Sequence, residues 1–161
     1  MTAAPRRKHQ SISVIITNRL YNYLKGSTCV VYDAPFDVRL PVDSKKNEDI
    51  YTVVQPDICV ICDSEKLDEA GCIGAPDLVV EILSPGNNKK DLQNKYEVYE
   101  ESGVKEYWVI HPEEQTLLVY TLTEGKFLAS KLFTLGDIVK SDCIKGFQLD
   151  LGEVFEELES I

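Results

Sequence analysis

Apolar positions along the chain change period several times, and each change marks an element. Ile12, Ile15, Ile16, Leu20, Tyr23 and Leu24 recur at spacings of three and four, which predicts an amphipathic helix from Lys8 to Leu24, ended by Lys25-Gly26. Thr28 to Tyr32 and Phe36 to Leu40 are short β-rich runs on either side of Asp33-Ala34-Pro35 and read as a strand pair. Pro41 to Asp49 is polar and charged, as a surface loop is. Val53 to Cys62 reads as a strand interrupted by Pro56-Asp57, the proline deferring ladder pairing until after it. A polar connection, Asp63 to Gly74, leads to an almost wholly apolar run, Asp77 to Leu83. A helix follows from Lys89 to Ser102, closed by Gly103 in the position beyond a C-terminus that favours glycine. Val104 to Ile110 is a buried strand holding the only tryptophan, Trp108. Gln115 to Leu122 and Lys126 to Phe133 form a meander through Thr123-Glu124-Gly125. Asp150 to Ile161 reads as a short acidic helix.

The run from Asp77 to Leu83 contains an anomaly. Leu78, Val80 and Ile82 share one face of the strand, and Asp77, Val79, Glu81 and Leu83 share the other. An unpaired carboxylate buried at Glu81 costs several kcal/mol or shifts its pKa until it is neutral. If the strand beginning at Asp57 turns back antiparallel onto this one, Asp57 falls beside Glu81 or Ile82. Such neighbours lie only ~4.5–5.5 Å apart, where two carboxylates repel unless they share a proton or a cation. Carboxylates completed by water suit Mg²⁺ or Mn²⁺, so the pair is a candidate metal site. Asp77 is a rival ligand on the same face, but four residues along a strand puts it ~13 Å from Glu81. On the following helix Leu92, Lys95, Tyr96 and Tyr99 fall on one side. Lys95 therefore either reaches the carboxylate pair, where it can orient a water nucleophile, or snorkels and pairs with Asp91.

Composition narrows the class. The 161 residues make one domain over 1–161, with no internal repeat and no low-complexity stretch. Nothing approaches 18 consecutive apolar residues, so no membrane span is expected. A net charge of −10 argues against a broadly basic nucleic-acid surface while leaving room for a nuclease, whose metal ligands are themselves acidic. The five cysteines lack framework spacing and no charged-then-apolar leader opens the chain, which points to a reducing cytoplasm without disulfides. Cys59 and Cys62 have Cys-x-x-Cys spacing, but residues three apart on a strand face opposite ways, so both are expected as buried free thiols. The two histidines, His9 and His111, form no metal or triad pattern, and His111 reads as a strand-end residue. Ser84-Pro85-Gly86 reads as a turn into the helix, free to line a groove.

Pro56-Asp57 followed by Glu81 and then a lysine resembles the PD-(D/E)XK nuclease superfamily. Gln55-Pro56-Asp57, Gly74 through Pro85, Lys95-Tyr96-x-x-Tyr99, and Gly103-Val104-Lys105-Glu106-Tyr107-Trp108-Val109-Ile110 resemble the putative restriction endonuclease family of bacterial uncharacterised proteins. The resemblance runs from about His9-Gln10 to the C-terminus. It implies an α/β (α+β) restriction-endonuclease-like fold, a central mixed β-sheet flanked by helices, with metal-dependent phosphodiester cleavage as the activity. Position 83, where the superfamily pattern has lysine, is Leu83; the resemblance makes Lys95, on the helix, its replacement. Members of the family also carry an N-terminal segment with an acidic strand residue that this chain, beginning at Met1, is expected to lack. The sequence thus gives a metal-dependent endonuclease acting on nucleic acid, with DNA the favoured substrate. On that reading Asp57 and Glu81 are expected to bind Mg²⁺ or Mn²⁺ and Lys95 to complete the catalytic set, and the resemblance to restriction-type enzymes implies a homodimer. The competing reading is a catalytically inactive nuclease-fold interaction or nucleic-acid-binding module, and another metal-dependent hydrolase on the same scaffold is a third.

Overall fold

The computed structural model describes residues 6–41 and 51–159. The expected loop from Pro41 to Asp49 therefore lies almost wholly outside the described residues. The chain opens with helix α1 (Arg7–Leu24), then strand β1 (Val30–Asp33), strand β2 (Val38–Pro41), strand β3 (Tyr51–Val54) and strand β4 (Ile58–Ile61). Strands β5 (Leu67–Asp68), β6 (Gly71–Ile73) and β7 (Leu78–Ile82) lead to helix α2 (Lys89–Ser102). Next come β8 (Glu106–His111), β9 (Thr116–Thr123), β10 (Lys126–Ala129), β11 (Ile138–Lys140), β12 (Gln148–Asp150) and helix α3 (Leu151–Glu159).

The main sheet has the order β1-β4-β7-β8-β9-β10. It is mixed, because β7 and β8 run parallel while the other neighbours are antiparallel. The crossover between the parallel pair is α2, the connection such a pair requires. Alternation along β7 divides two cores. Leu78, Val80 and Ile82 pack with Ile12, Ile16 and Leu20 of α1, with Trp108, and with Val154 and Phe155 of α3. Val79 packs on the opposite side with Tyr99 of α2, Tyr107, Val109 and Leu40. The sheet is thus covered on both faces, which explains why β7 reads as a continuous apolar run rather than an alternating one. Both helix boundaries behave as their sequences require. Gly103 takes a left-handed φ of 91° to end α2, and the Asn88 side chain accepts from the Asp91 amide to begin it.

Three expectations need correction. The segments Thr28 to Tyr32 and Phe36 to Leu40 do not pair with each other: β1 lies against β4 in the main sheet, while β2 lies between β3 and β6 in a separate four-stranded sheet. Pairing of this kind is decided by tertiary burial, and Val38 and Leu40 are drawn into the core beneath α2. Val53 to Cys62 is accordingly two strands in two sheets, divided at Gln55-Pro56-Asp57, and the polar connection after it contributes β5 and β6 to the smaller sheet. Finally, Cys62 is not free. The β1–β4 register pairs Val30 with Ile61, so one residue further along Cys29 meets Cys62, and the two form a disulfide. Cys59 is a buried free thiol as expected. None of the described helices is long and apolar enough to cross a membrane.

Candidate active site

Antiparallel pairing sets Ile58 against Val80, and continuing that register by one residue puts Asp57 opposite Glu81. Their contact is reciprocal. The Asp57 amide donates to Glu81 Oε1 at 3.0 Å, and the Ile82 amide donates to Asp57 Oδ2 at 2.7 Å. Each carboxylate thereby ties its own strand to the other, at the point where the β4 ladder has just begun. Pro56 explains the location, since it cannot donate to a ladder and leaves Asp57 as the first residue able to bond across.

Two basic side chains approach this pair from opposite layers. From α2, the Lys95 ammonium donates to Glu81 Oε2. The expected helix face holds, and of the two partners weighed for Lys95 the structure selects Glu81. From α1, His9 Nε2 lies 3.3 Å from Asp57 Oδ2. Glu81 is 2 % exposed, the Asp57 side chain 21 % and the Lys95 side chain 38 %, so access to the cluster runs past Lys95 and Asp57 while Glu81 forms its floor.

Electrostatics follow from that gradient. Burial pushes the Glu81 carboxyl above its ordinary range, and the Lys95 ammonium offsets only part of the rise. Burial acts to lower the Lys95 pKa, yet the Glu81 charge more than compensates and the net direction is up. The hydrogen bond to Asp57 raises the pKa of His9 against the lowering effect of its own burial. The apo cluster is therefore two carboxylates balanced by two groups that favour the protonated form. Tyr99 lies within the field of the same carboxylates; burial, then the Glu81 charge, raises its hydroxyl pKa, and its buried oxygen makes no hydrogen bond.

His9 was not singled out from the sequence as a site residue. Its signal is positional: His9 lies three residues before Ile12 and seven before Ile16 on the stripe of α1 that faces the sheet. Asp77, the rival ligand, is engaged elsewhere. It accepts from the Cys62 amide at 2.9 Å and pairs with Lys105 at 3.0 Å, which makes it a clasp between β4, β7 and β8. Burial pushes the Cys59 thiol up to about 12, so it is not a nucleophile at neutral pH.

Among the described residues no group of three or more His, Cys, Asp and Glu side chains is arranged to enclose a metal ion. The donor set fits a different kind of site. Hard carboxylate oxygens from one or two side chains, with water and phosphate completing the shell, are what Mg²⁺ uses. Both contacts of the Asp57 carboxylate fall on Oδ2, and Lys95 and His9 occupy the positions near the carboxylates where positive charge is favoured.

The model of the Uma2 family, described as "Putative restriction endonuclease", matches residues 1–152. The chain belongs to the Uma2 family. One curated relative, an uncharacterised protein (slr1290) of Synechocystis, is 31 % identical over 93 residues. That stretch is 58 % of this chain and 45 % of the relative, so the match spans less than half the length of that protein. Among solved structures, a crystal structure titled a putative nuclease of the DUF820 group, from Anabaena variabilis, superposes with a TM-score of 0.75 over 98 % of this chain and 86 % of the other. At 19 % identity that likeness shows the fold alone. It is a nuclease fold, as the motifs of this Uma2 chain imply.

Proposed function

We propose that this chain is a metal-dependent endonuclease that hydrolyses phosphodiester bonds in DNA. The observation that carries the reading is the convergence of Asp57, Glu81 and Lys95, from two neighbouring strands and the crossover helix that follows the second, in a protein of the Uma2 family. Asp57 and Glu81 would hold Mg²⁺ or Mn²⁺, which when bound lowers the pKa of a coordinated water and neutralises charge on the scissile phosphate. The chain's own groups have separable tasks. Glu81, anchored by the Asp57 amide, fixes the inner side of the site, and Asp57, anchored by the Ile82 amide, fixes the outer side. Lys95, more than a third exposed, has the freedom to leave Glu81, orient the attacking water and stabilise the phosphate's developing negative charge. Leu83 supplies no ammonium, so Lys95 takes the role that the superfamily pattern gives to that position.

The test supplies Mg²⁺ or Mn²⁺ with single-stranded and duplex DNA and with RNA, comparing the wild type with Asp57→Ala and Glu81→Ala. Metal-dependent cleavage lost in both variants supports the site, and cleavage that survives both sinks it. The direct Lys95–Glu81 contact favours a second reading, an inactive nuclease-fold module in which the ammonium permanently replaces the metal. Calorimetric titration with Mg²⁺ separates the two, because the inactive module has no Mg²⁺ affinity that depends on Asp57. A homodimer belongs to the same proposal, with edge strands β1 or β10 as its pairing surfaces, and sedimentation equilibrium tests it.

A further inference from the structure

Next to the carboxylates lies a cavity of about 350 Å³ that none of the roles above uses. It opens beyond the carboxyl ends of the parallel strands β7 and β8, between the first turns of α1 and α2. Leu83, Leu92 and Pro112 give it apolar walls, and the imidazoles of His9 and His111 line it too. Its charged lining sets Arg6 and Lys8 against Glu113 and Glu114, with Lys8 Nζ 3.5 Å from Glu113 Oε2 across an exposed pair. Continuity with the catalytic cluster is direct. His9 belongs to both, Leu83 follows Glu81 by two residues, and Leu92 precedes Lys95 by one turn of α2.

The occupant follows from size, surface and position. A volume near the lower end of small-molecule sites suits a single planar ring system rather than a folded partner. Apolar walls lined with imidazoles suit a nucleobase, which stacks on aromatic rings, and Arg6 with Lys8, whose pairing with Glu113 is exposed and exchangeable, suits its phosphate. A paired base cannot enter, because a duplex presents only base edges in its grooves and keeps the ring faces stacked. We propose that the cavity receives one unpaired base of a DNA strand whose scissile phosphate lies beside the Asp57–Glu81 site, so that the enzyme acts on single-stranded DNA or on a nucleotide turned out of a duplex. This rests on the nuclease reading and specifies its substrate.

The test reads binding without cleavage. Fluorescence anisotropy in EDTA at low salt compares a fluorescein-labelled DNA single strand of about 12 nucleotides with the duplex of the same sequence. The single strand is expected to bind about ten-fold more tightly, the order that one stacked base supplies. Leu92→Trp and His111→Trp, each filling the cavity from a different wall, are expected to remove that advantage and leave duplex affinity unchanged. Equal affinity of the wild type for both forms, no binding of the single strand, or a preference that survives both fillings in variants with wild-type circular dichroism overturns the proposal. Wild-type comparison needs no variant, so a misfolded substitution does not shield the idea. Failure of the nuclease reading looks different: DNA stays intact with Mg²⁺ and Mn²⁺ while the single-strand preference and its loss on filling persist.

Discussion

Glu81 and Glu106 stand on neighbouring parallel strands, β7 and β8, at 2 % and 1 % exposure, and the protein treats them in opposite ways. Glu106 faces the α1 side of the sheet and is satisfied by groups that cannot leave. Trp108 Nε1 donates to it at 2.9 Å, Ser141 Oγ at 3.0 Å and the Cys143 amide at 2.7 Å, and the Asp142 amide donates as well. Glu81 faces the α2 side with one backbone amide and one long, partly exposed lysine. Several fixed neutral donors make a buried carboxylate a fastener between β8 and the segment before β12. A single, partly exposed cation is the partner that the proposed metal site needs, since it could give way to another cation. The same residue type at similar burial is structural in one place and, in the proposed function, chemical in the other, and the number and exposure of the donors distinguish them.

The sharpest way to break this contrast is Glu106→Ala. It strands an indole N–H, a hydroxyl and two amides, and the expected loss is about 3–5 kcal/mol of unfolding free energy, a large share of a typical domain's stability. Urea denaturation followed by tryptophan fluorescence measures it. Glu106→Gln keeps one acceptor and is expected to lose about half as much. A loss under ~1 kcal/mol for the alanine variant would mean that the network is not holding the sheet to the C-terminal segment.

Glu81→Gln is the counterpart. If Glu81 is a metal ligand, cleavage falls by about 10²–10³-fold, the scale of removing one preorganised electrostatic group. Stability changes by less than ~1 kcal/mol, because an amide of the same shape removes a carboxylate whose burial already raises its pKa. A parallel loss of stability and activity at position 81 would erase the distinction from Glu106.

Legibility in the sequence followed the same division. The strands β7 and β8, the helix α2 between them and the facing of Lys95 all follow from local period and punctuation, and Pro56 marked where pairing with β7 begins, whereas the parallel pairing of β7 with β8 is seen only in the fold. Glu106 gave no signal because its donors lie at 141–143, some 35 residues away, in a segment whose strands β11 and β12 were not expected. The partners of β1 and β2 and the Cys29–Cys62 disulfide depended in the same way on register between distant segments. His9 differed: it stood on a legible stripe, but spacing along α1 says nothing about which carboxylate lies across from it.

Lys95→Met sharpens the comparison from the cation's side. Without the ammonium, Glu81 is buried beside Asp57 with one amide donor, and the expected cost is about 2 kcal/mol at pH near 8. Lys95 offsets part of a burial-driven rise, so its removal raises the Glu81 pKa further. An acid whose folded pKa exceeds its unfolded value destabilises increasingly as pH rises above the unfolded value, and the penalty fades as pH falls toward it. The variant is therefore expected to recover toward wild-type stability by about pH 5, whereas Glu106→Ala shows no such recovery. A pH-independent deficit in Lys95→Met would show that the lysine acts through packing alone.

The smallest effect concerns His9 and Asp57 in metal-free protein. Asp57 raises the His9 pKa above its ordinary 6.5. A base with a raised folded pKa stabilises fully below its unfolded value and loses that contribution as pH rises through the folded one. The stability difference between wild type and His9→Gln, measured in chelator, should accordingly be larger at about pH 6 than at about pH 8.5. Two-dimensional NMR of the His9 ring supplies an independent reading of the same pKa, which should fall in Asp57→Asn because the largest raising influence is then gone while burial still lowers it. A histidine titration unmoved by Asp57→Asn would separate His9 from the cluster. It would confine the cluster to Asp57, Glu81 and Lys95, and the contrast with Glu106 would then rest on the Lys95 contact and the Asp57 amide alone.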